Sequence, residues 1–171
     1  DDNLTEVKWI KNPGNGSSDW TQYIITNNTG NGDPDRVAVG DIDCDGNLDV
    51  IITHEAFDVR DADTAWFEAP DNPTQSGWPR HTIKTQLSTN NLDVGDMDND
   101  GDDDIIIAEH YHQTANLETT IFINDGSGNL TEQIIEVGIE SHLGCRLVDL
   151  DGNGVLDIIS PGWHEHEYFH M

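Results

Sequence analysis

One motif occurs three times in this chain, and it decides what the chain can fold into. The segments are Asp41-Ile42-Asp43-Cys44-Asp45-Gly46-Asn47-Leu48-Asp49, Asp96-Met97-Asp98-Asn99-Asp100-Gly101-Asp102-Asp103-Asp104 and Asp149-Leu150-Asp151-Gly152-Asn153-Gly154-Val155-Leu156-Asp157. Each reads Asp-x-Asp-x-Asp/Asn-Gly-x-x-Asp, and the first Asp positions lie 55 and 53 residues apart. A constant period of this size marks a repeat architecture, in which each unit buries its apolar face against its neighbours.

A second element recurs between the loops. Trp9-Ile10-Lys11-Asn12-Pro13 aligns with Trp66-Phe67-Glu68-Ala69-Pro70 and with Ile121-Phe122-Ile123-Asn124-Asp125. A turn and a further short apolar strand follow each copy, at 22–25, 81–83 and 133–135. Each period therefore holds about four short strands bounded by Gly, Asn, Asp and Pro turn signals. No stretch keeps a 3.6-residue apolar period for three turns, so no helix is expected. Strand A enters the Asp loop and strand B leaves it. Strand C carries the Trp or Phe, and strand D ends the period. The expected fold is all-β, a propeller-like array of three four-stranded blades with an Asp loop joining A to B. It forms a single repeat domain, with repeats at about 7–54, 64–109 and 118–166, each running C-D-A-B.

The loop chemistry points to a metal. Oxygen ligands at positions 1, 3, 5 and 9, with a backbone carbonyl at 7, suit a hard cation that takes six or more oxygens. Gly at position 6 permits the sharp turn that folds them inward. The expected ligands are Asp41, Asp43, Asp45, Asn47 and Asp49 in loop one, and Asp96, Asp98, Asp100, Asp102 and Asp104 in loop two. In loop three they are Asp149, Asp151, Asn153, Val155 and Asp157. The expected cofactor is calcium, about three ions. An EF-hand would end on a Glu at position 12 between two helices, and neither is found here. A lone Asp-Gly turn would signal only a hairpin, but three copies at constant spacing signal a binding device. Asn153 leaves loop three one charge short, so weaker binding is expected there. Clustered carboxylates repel one another without a cation, so calcium is expected to support the fold.

Composition sharpens this reading. The chain has 34 Asp and Glu against 7 Lys and Arg, a formal charge of −27. Such a surface repels phosphate backbones and anionic headgroups, which argues against nucleic acid and against membrane binding. No apolar run is long enough to span a bilayer. Asp1-Asp2-Asn3 carries no basic or apolar leader, so the sequence reads as that of a chain that is either mature or was never a preprotein. Acidity of this degree can mean disorder. Five Trp and runs such as Val50-Ile51-Ile52 and Ile105-Ile106-Ile107 argue instead for a buried core.

Taken together, the three Asp loops, the Trp9–Gly14 segment and Ser141-His142-Leu143-Gly144 resemble the FG-GAP/VCBS repeat proteins. These are calcium-loop β-propellers that include the integrin α-subunit head, and the resemblance covers nearly the whole chain. It implies an extracellular propeller with one calcium per loop. It implies activity less sharply, because the family spans adhesion modules, lectin-like modules and carbohydrate-active enzymes. The expectation is a secreted calcium-binding module for binding, adhesion or surface assembly. Two alternatives stand beside it: a self-assembling subunit of an extracellular filament, and a lyase-like carbohydrate-active enzyme.

Histidines gather at the far end of strand B. They are His54, His110, His112, His164 and His166, with His142 expected nearby. Three readings compete: solvated or hydrogen-bonded loop histidines, a second metal or ligand site, and a pocket in which His110, Tyr111 and His112 act as acid–base groups beside Trp163. Polyanionic substrates would be repelled by the charge, and the chain shows neither a Ser-His-Asp set nor a phosphate loop, so the chemistry leans away from an enzyme. For Cys44 and Cys145, a disulfide and two free thiols both fit. Sequons at Asn3, Asn15, Asn27 and Asn129 offer glycosylation sites on a secreted chain. The Trp, Phe and Ile of strand C are expected in the core; Trp20 and Trp78, just before strand D, are the better candidates for partial exposure, with packing still the expectation. Three repeats fall short of a usual propeller. Edge strands are therefore expected to meet further blades or other copies of the chain, and a carbohydrate or protein ligand is expected at one mouth.

Overall fold

The computed structural model describes residues 5–56, 62–110, 116–138, 140–141 and 145–163. Every regular element among them is a β-strand. The strands are β1 (Val7–Lys11), β2 (Thr21–Thr26), β3 (Asp33–Gly40), β4 (Asp49–Glu55), β5 (Ala62–Phe67), β6 (Arg80–Gln86) and β7 (Thr89–Gly95). They continue as β8 (Asp104–Glu109), β9 (Glu118–Asn124), β10 (Leu130–Val137), β11 (Glu140–Ser141), β12 (Arg146–Val148), β13 (Asp157–Ile159) and β14 (Gly162–Trp163).

Two sheets are four-stranded, β3-β4-β5-β6 and β7-β8-β9-β10, and all their pairings are antiparallel. Each runs A-B-C-D. A sequence repeat has no intrinsic starting point, and hydrogen bonding selects the hairpin closed by the Asp loop as the first half of each sheet. Where the repeat predicts three four-stranded sheets, the described residues contain two, plus the two-stranded pairs β1-β2, β12-β13 and β11-β14. The C–D pair at one end and the A–B pair at the other each stand as a half-sheet.

Burial explains why B and C are the central strands. All six residues of β5 and of β8 are buried, as are the first six of β4. Strands buried on both faces read as continuous apolar runs, here Val50-Ile51-Ile52 in β4, Ala65-Trp66-Phe67 in β5 and Ile105-Ile106-Ile107 in β8. Of the strands that end the sheets, β3, β6 and β10 alternate or stay exposed, whereas β7 is buried over its first four residues, Leu92 facing the first sheet.

Alternate residues of a strand face opposite ways, and this stacks the sheets in a row. Val50 and Ile52 of β4 join Phe67, Trp78, Val7 and Ile25 in a core between the first sheet and β1-β2. Ile51 faces the other way, into a core with Trp66, Leu92, Ile105, Ile107 and Phe122 between the two large sheets. Ile106 and Ile121 face onward to Cys145, Leu147 and Ile158 around β12-β13. The Trp of strand C stacks on the residue opposite it in strand D. Trp9 lies over Tyr23 with ring centroids 4.7 Å apart, and Trp66 over His81 at 4.2 Å. Trp66, Phe67 and Phe122 of strand C are core, while Trp9 is half-buried against the first core and Ile10 is exposed. Trp20 is exposed, but Trp78 is buried, because its Nε1–H donates to the Gln75 carbonyl and its ring fills the first core.

A polar anchor ties β1-β2 to the first sheet. Arg80 donates from Nη2 to Asp63 Oδ2 (2.7 Å) and from Nε to the Thr29 carbonyl (2.9 Å). Asp63 also accepts from the Asn31 amide and the Thr85 hydroxyl. Burial works to raise the Asp63 pKa, but these donors and the Arg80 charge together hold it below the usual carboxylate value.

Candidate metal centre

The three loops, 41–49, 96–104 and 149–157, are built on one hydrogen-bond scaffold. The amide at position 6 donates to the position 1 carboxylate: Gly46 to Asp41 (3.0 Å), Gly101 to Asp96 (3.1 Å) and Gly154 to Asp149 (2.9 Å). The amide at position 7 donates to the side chain at position 5: Asn47 to Asp45, Asp102 to Asp100 and Val155 to Asn153. The amide at position 2 donates to the position 9 carboxylate: Ile42 to Asp49 (2.9 Å), Met97 to Asp104 (2.7 Å) and Leu150 to Asp157 (3.1 Å).

Backbone conformation repeats as well. Position 4 is left-handed in all three loops, at φ 55° for Cys44, 62° for Asn99 and 76° for Gly152. Position 6 is left-handed too, with Gly46, Gly101 and Gly154 at 93°, 102° and 87°. Two reversals within three residues coil the loop so that its acidic side chains point inward.

The outcome is convergence of carboxylates. Asp41, Asp43 and Asp45 place ligand oxygens within 4.8 Å of one another, as do Asp96, Asp98 and Asp104, and Asp149, Asp151 and Asp157. These are the groups of this kind among the described residues, and none contains a histidine. Asp100, Asp102 and the position 7 residues Asn47 and Val155 lie on the same loops. There Asp100 and Asn153 turn one oxygen back onto the position 7 amide.

Position 9 has a further role that its residue type does not reveal. Asp49 accepts from Ile42 on one oxygen and from Ala69 (2.8 Å) on the other, and Asp104 likewise accepts from Met97 and Asn124 (2.8 Å). The carboxylate thus pins its loop to strand C of the same sheet. Burial, ahead of any other cause, raises the Asp49 pKa to about 6 and moves Asp104 upward. Burial and then the neighbouring Asp45 raise Asp43.

The donor set fits a hard divalent cation. Oxygens are its ligands of choice, and each loop supplies at least three carboxylates. One atom argues this directly: Asp41 Oδ1 is enclosed by protein and accepts no hydrogen bond. A buried anionic oxygen without a donor is costly, and a cation held with Asp43 and Asp45 relieves that cost.

Loops one and two are also joined. The Asp41 amide donates to Asp103 Oδ2 (3.2 Å), and Asn124 Nδ2 donates to the Ile42 carbonyl (2.7 Å). The Cys44 thiol donates to Asp102 Oδ1 (3.1 Å), a bond that, with some burial, pushes the thiol up to about 11. Asp103 and Asn124 lie outside the loop motif's ligand positions, so only the contact between neighbouring sheets reveals their part.

The histidines divide. His54 is buried in β4, and its Nδ1–H donates to the Asp63 carbonyl oxygen at 2.6 Å. Burial lowers its pKa, so the ring is neutral and belongs to the core. His110 donates its backbone amide to Ser88. Glu109 beside it is buried, accepts from the Glu118 amide, and is raised by that burial. Tyr111, His112, His142, His164 and His166 lie outside the described residues, as does Asn3. Asn15, Asn27 and Asn129 are exposed. Cys44 and Cys145 are free thiols, the first exposed and the second buried in the third core.

Repeated Asp-rich hairpin loops on stacked antiparallel sheets define a β-rich repeat protein. Residues 96–160, from loop two through loop three, match the family model of the FG-GAP-like repeat, to which this stretch is therefore similar. No curated protein matches the chain.

Proposed function

We propose that the chain is a calcium-binding, propeller-type repeat module that works outside the cell in binding, adhesion or surface assembly. The observation that carries this reading is the common scaffold of the three loops. In each, backbone amides orient the carboxylates at positions 1 and 9, and the remaining oxygens converge on one point. Asp41, Asp43 and Asp45 would hold the ion in loop one, Asp96, Asp98 and Asp104 in loop two, and Asp149, Asp151 and Asp157 in loop three. Bound calcium supplies positive charge that offsets the clustered carboxylates. The protein supplies the turn that collects them and the position 9 brace that couples the loop to its sheet.

A structural ion of this kind stabilises the folded chain without any catalytic step. Thirteen of the 34 acidic residues lie in the three loops, so much of the chain's acidity serves this device. Loops of moderate affinity fill at extracellular calcium levels, which supports a location outside the cell. The A-B-C-D order of both large sheets and their face-to-face stacking support the propeller reading. Thermal melting in excess calcium and in chelator tests the function. A clear rise in Tm with calcium, absent with magnesium at equal concentration, is the expected result. Identical melts in calcium and chelator would overturn it.

A further inference from the structure

Loop two packs on loop one, and loop three packs on loop two at the same place but with different chemistry. Gly40 and Gly95 each stand just before position 1 of a loop. A Cβ on Gly40 would lie 2.9 Å from Asp103 Oδ2, and one on Gly95 would lie 3.0 Å from Leu156 Cδ1. Asp103 and Leu156 both hold position 8 of the next loop along the chain. Position 8 thus rests against the preceding loop in both places, once as a carboxylate and once as a methyl group.

That difference decides what can pass between the loops. Asp103 Oδ2 accepts the Asp41 amide at 3.2 Å. Asp102 beside it, at position 7, accepts the Cys44 thiol on Oδ1 at 3.1 Å. Asn124 joins the bridge from strand C, where its Nδ2 donates to the Ile42 carbonyl of loop one (2.7 Å) and to the Asp103 carbonyl of loop two (3.1 Å). In loop three the counterparts of Asp102 and Asp103 are Val155 and Leu156, which carry no side-chain acceptor. The bridge from loop two to loop one therefore has no copy from loop three to loop two at these positions.

The bridged residues are the ones that build the sites. Asp41 is the loop one carboxylate whose Oδ1 is enclosed without a donor, and its amide is the group that Asp103 holds. In loop two, Asp102 and Asp103 lie between Asp100, which takes the Asp102 amide, and Asp104, one of the converging carboxylates. With Asp96, Asp98 and Asp104 drawn onto one ion, that short turn is held in place, and with it the two carboxylates that reach loop one. Without an ion, repulsion among the loop two carboxylates works to open the turn. We propose that Asp103, helped by Asp102 and Asn124, is a positioning residue for the loop one ion, so that calcium in loop two raises the affinity of loop one while loop three fills independently. This inference rests on the calcium reading above. Such coupling is reciprocal, so calcium in loop one favours loop two by the same factor.

The test is a calcium titration of the full chain followed by NMR at the Gly46, Gly101 and Gly154 amides. Each donates to the position 1 carboxylate of its own loop, so its shift reports the filling of that loop. Asp96→Ala removes a loop two ligand. The Gly46 midpoint is then expected at calcium at least about fivefold higher, with the Gly154 midpoint unmoved. Asp103→Leu copies loop three and is expected to weaken loop one in the same way, with no further loss when Asp96→Ala is added. Asp103→Asn keeps an oxygen for the Asp41 amide and is expected to keep the coupling, which separates the hydrogen bond from the loss of charge. An unmoved Gly46 midpoint in Asp96→Ala would overturn the proposal. So would equal shifts at Gly46 and Gly154, which mark a general loss of stability, or identical behaviour of Asp103→Leu and Asp103→Asn. Those outcomes remove only the coupling. No calcium response at any of the three glycines in the unaltered chain removes the calcium reading itself, and the coupling with it.

Discussion

Loop position 4 holds Cys44, Asn99 and Gly152 in one left-handed conformation. Gly adopts it freely and Asn tolerates it, but a Cys side chain is strained there. Cys44 is kept in place by its bond to Asp102. Cys44→Asn, which copies loop two, is predicted to raise stability by about 0.5–1 kcal/mol, measured by urea unfolding in saturating calcium. A loss of stability would mean that the thiol bond outweighs the strain. His54 gives a pH signature. Burial lowers its pKa below the ordinary 6.5, so the folded chain prefers the neutral ring. A group depressed in this way contributes stability that is complete above pH 6.5 and is lost as pH falls through the folded value. His54→Gln is predicted to flatten that acid-side slope in melts recorded in chelator, and an unchanged slope would contradict the assignment.

At the scale of the element, loop one separates the position 9 brace from the converging carboxylates, whereas in loops two and three Asp104 and Asp157 belong to both. Asp49 binds two backbone amides, one of them outside the loop, and Asp45 only the amide and side chain of Asn47 within the loop. Asp49→Asn is predicted to cost about 1–3 kcal/mol even in chelator, because one amide then faces an NH2 group. Asp45→Asn is predicted to be neutral or stabilising in chelator and to weaken calcium binding, because it removes one of three crowded charges. Equal behaviour of the two variants in chelator would contradict this division. The strands and loops were legible in the sequence, since Val50-Ile51-Ile52 and the Asp-Gly motif announce a buried strand leaving a turn. The phase of the sheets was not legible, because a repeat read C-D-A-B or A-B-C-D looks the same until hydrogen bonds choose. Nor was the brace, because an Asp that takes two amides has the same side chain as one that takes a metal. The residues around Trp78 read as a loop before strand D, and only the neighbouring half-sheet shows that its ring has a core to fill.

For the whole molecule, the stacked sheets depend on contacts between neighbours. One of these is the buried anchor of Asp63 and Arg80, which joins the β2–β3 connection to the first large sheet. Asp63→Ala leaves Arg80 partly buried without its partner, and a loss of about 3 kcal/mol is predicted from denaturant midpoints. A loss below about 1 kcal/mol would show that the anchor is exposed to water in solution. The central claim is that three separate loops each take a calcium ion. Isothermal titration of the chelator-treated chain with calcium tests it most directly. The account predicts three ions per chain, the weakest in loop three where Asn153 replaces an Asp, and a drop to two ions in Asp96→Ala. Titration that shows no calcium uptake, or the same uptake after Asp96→Ala, would contradict it.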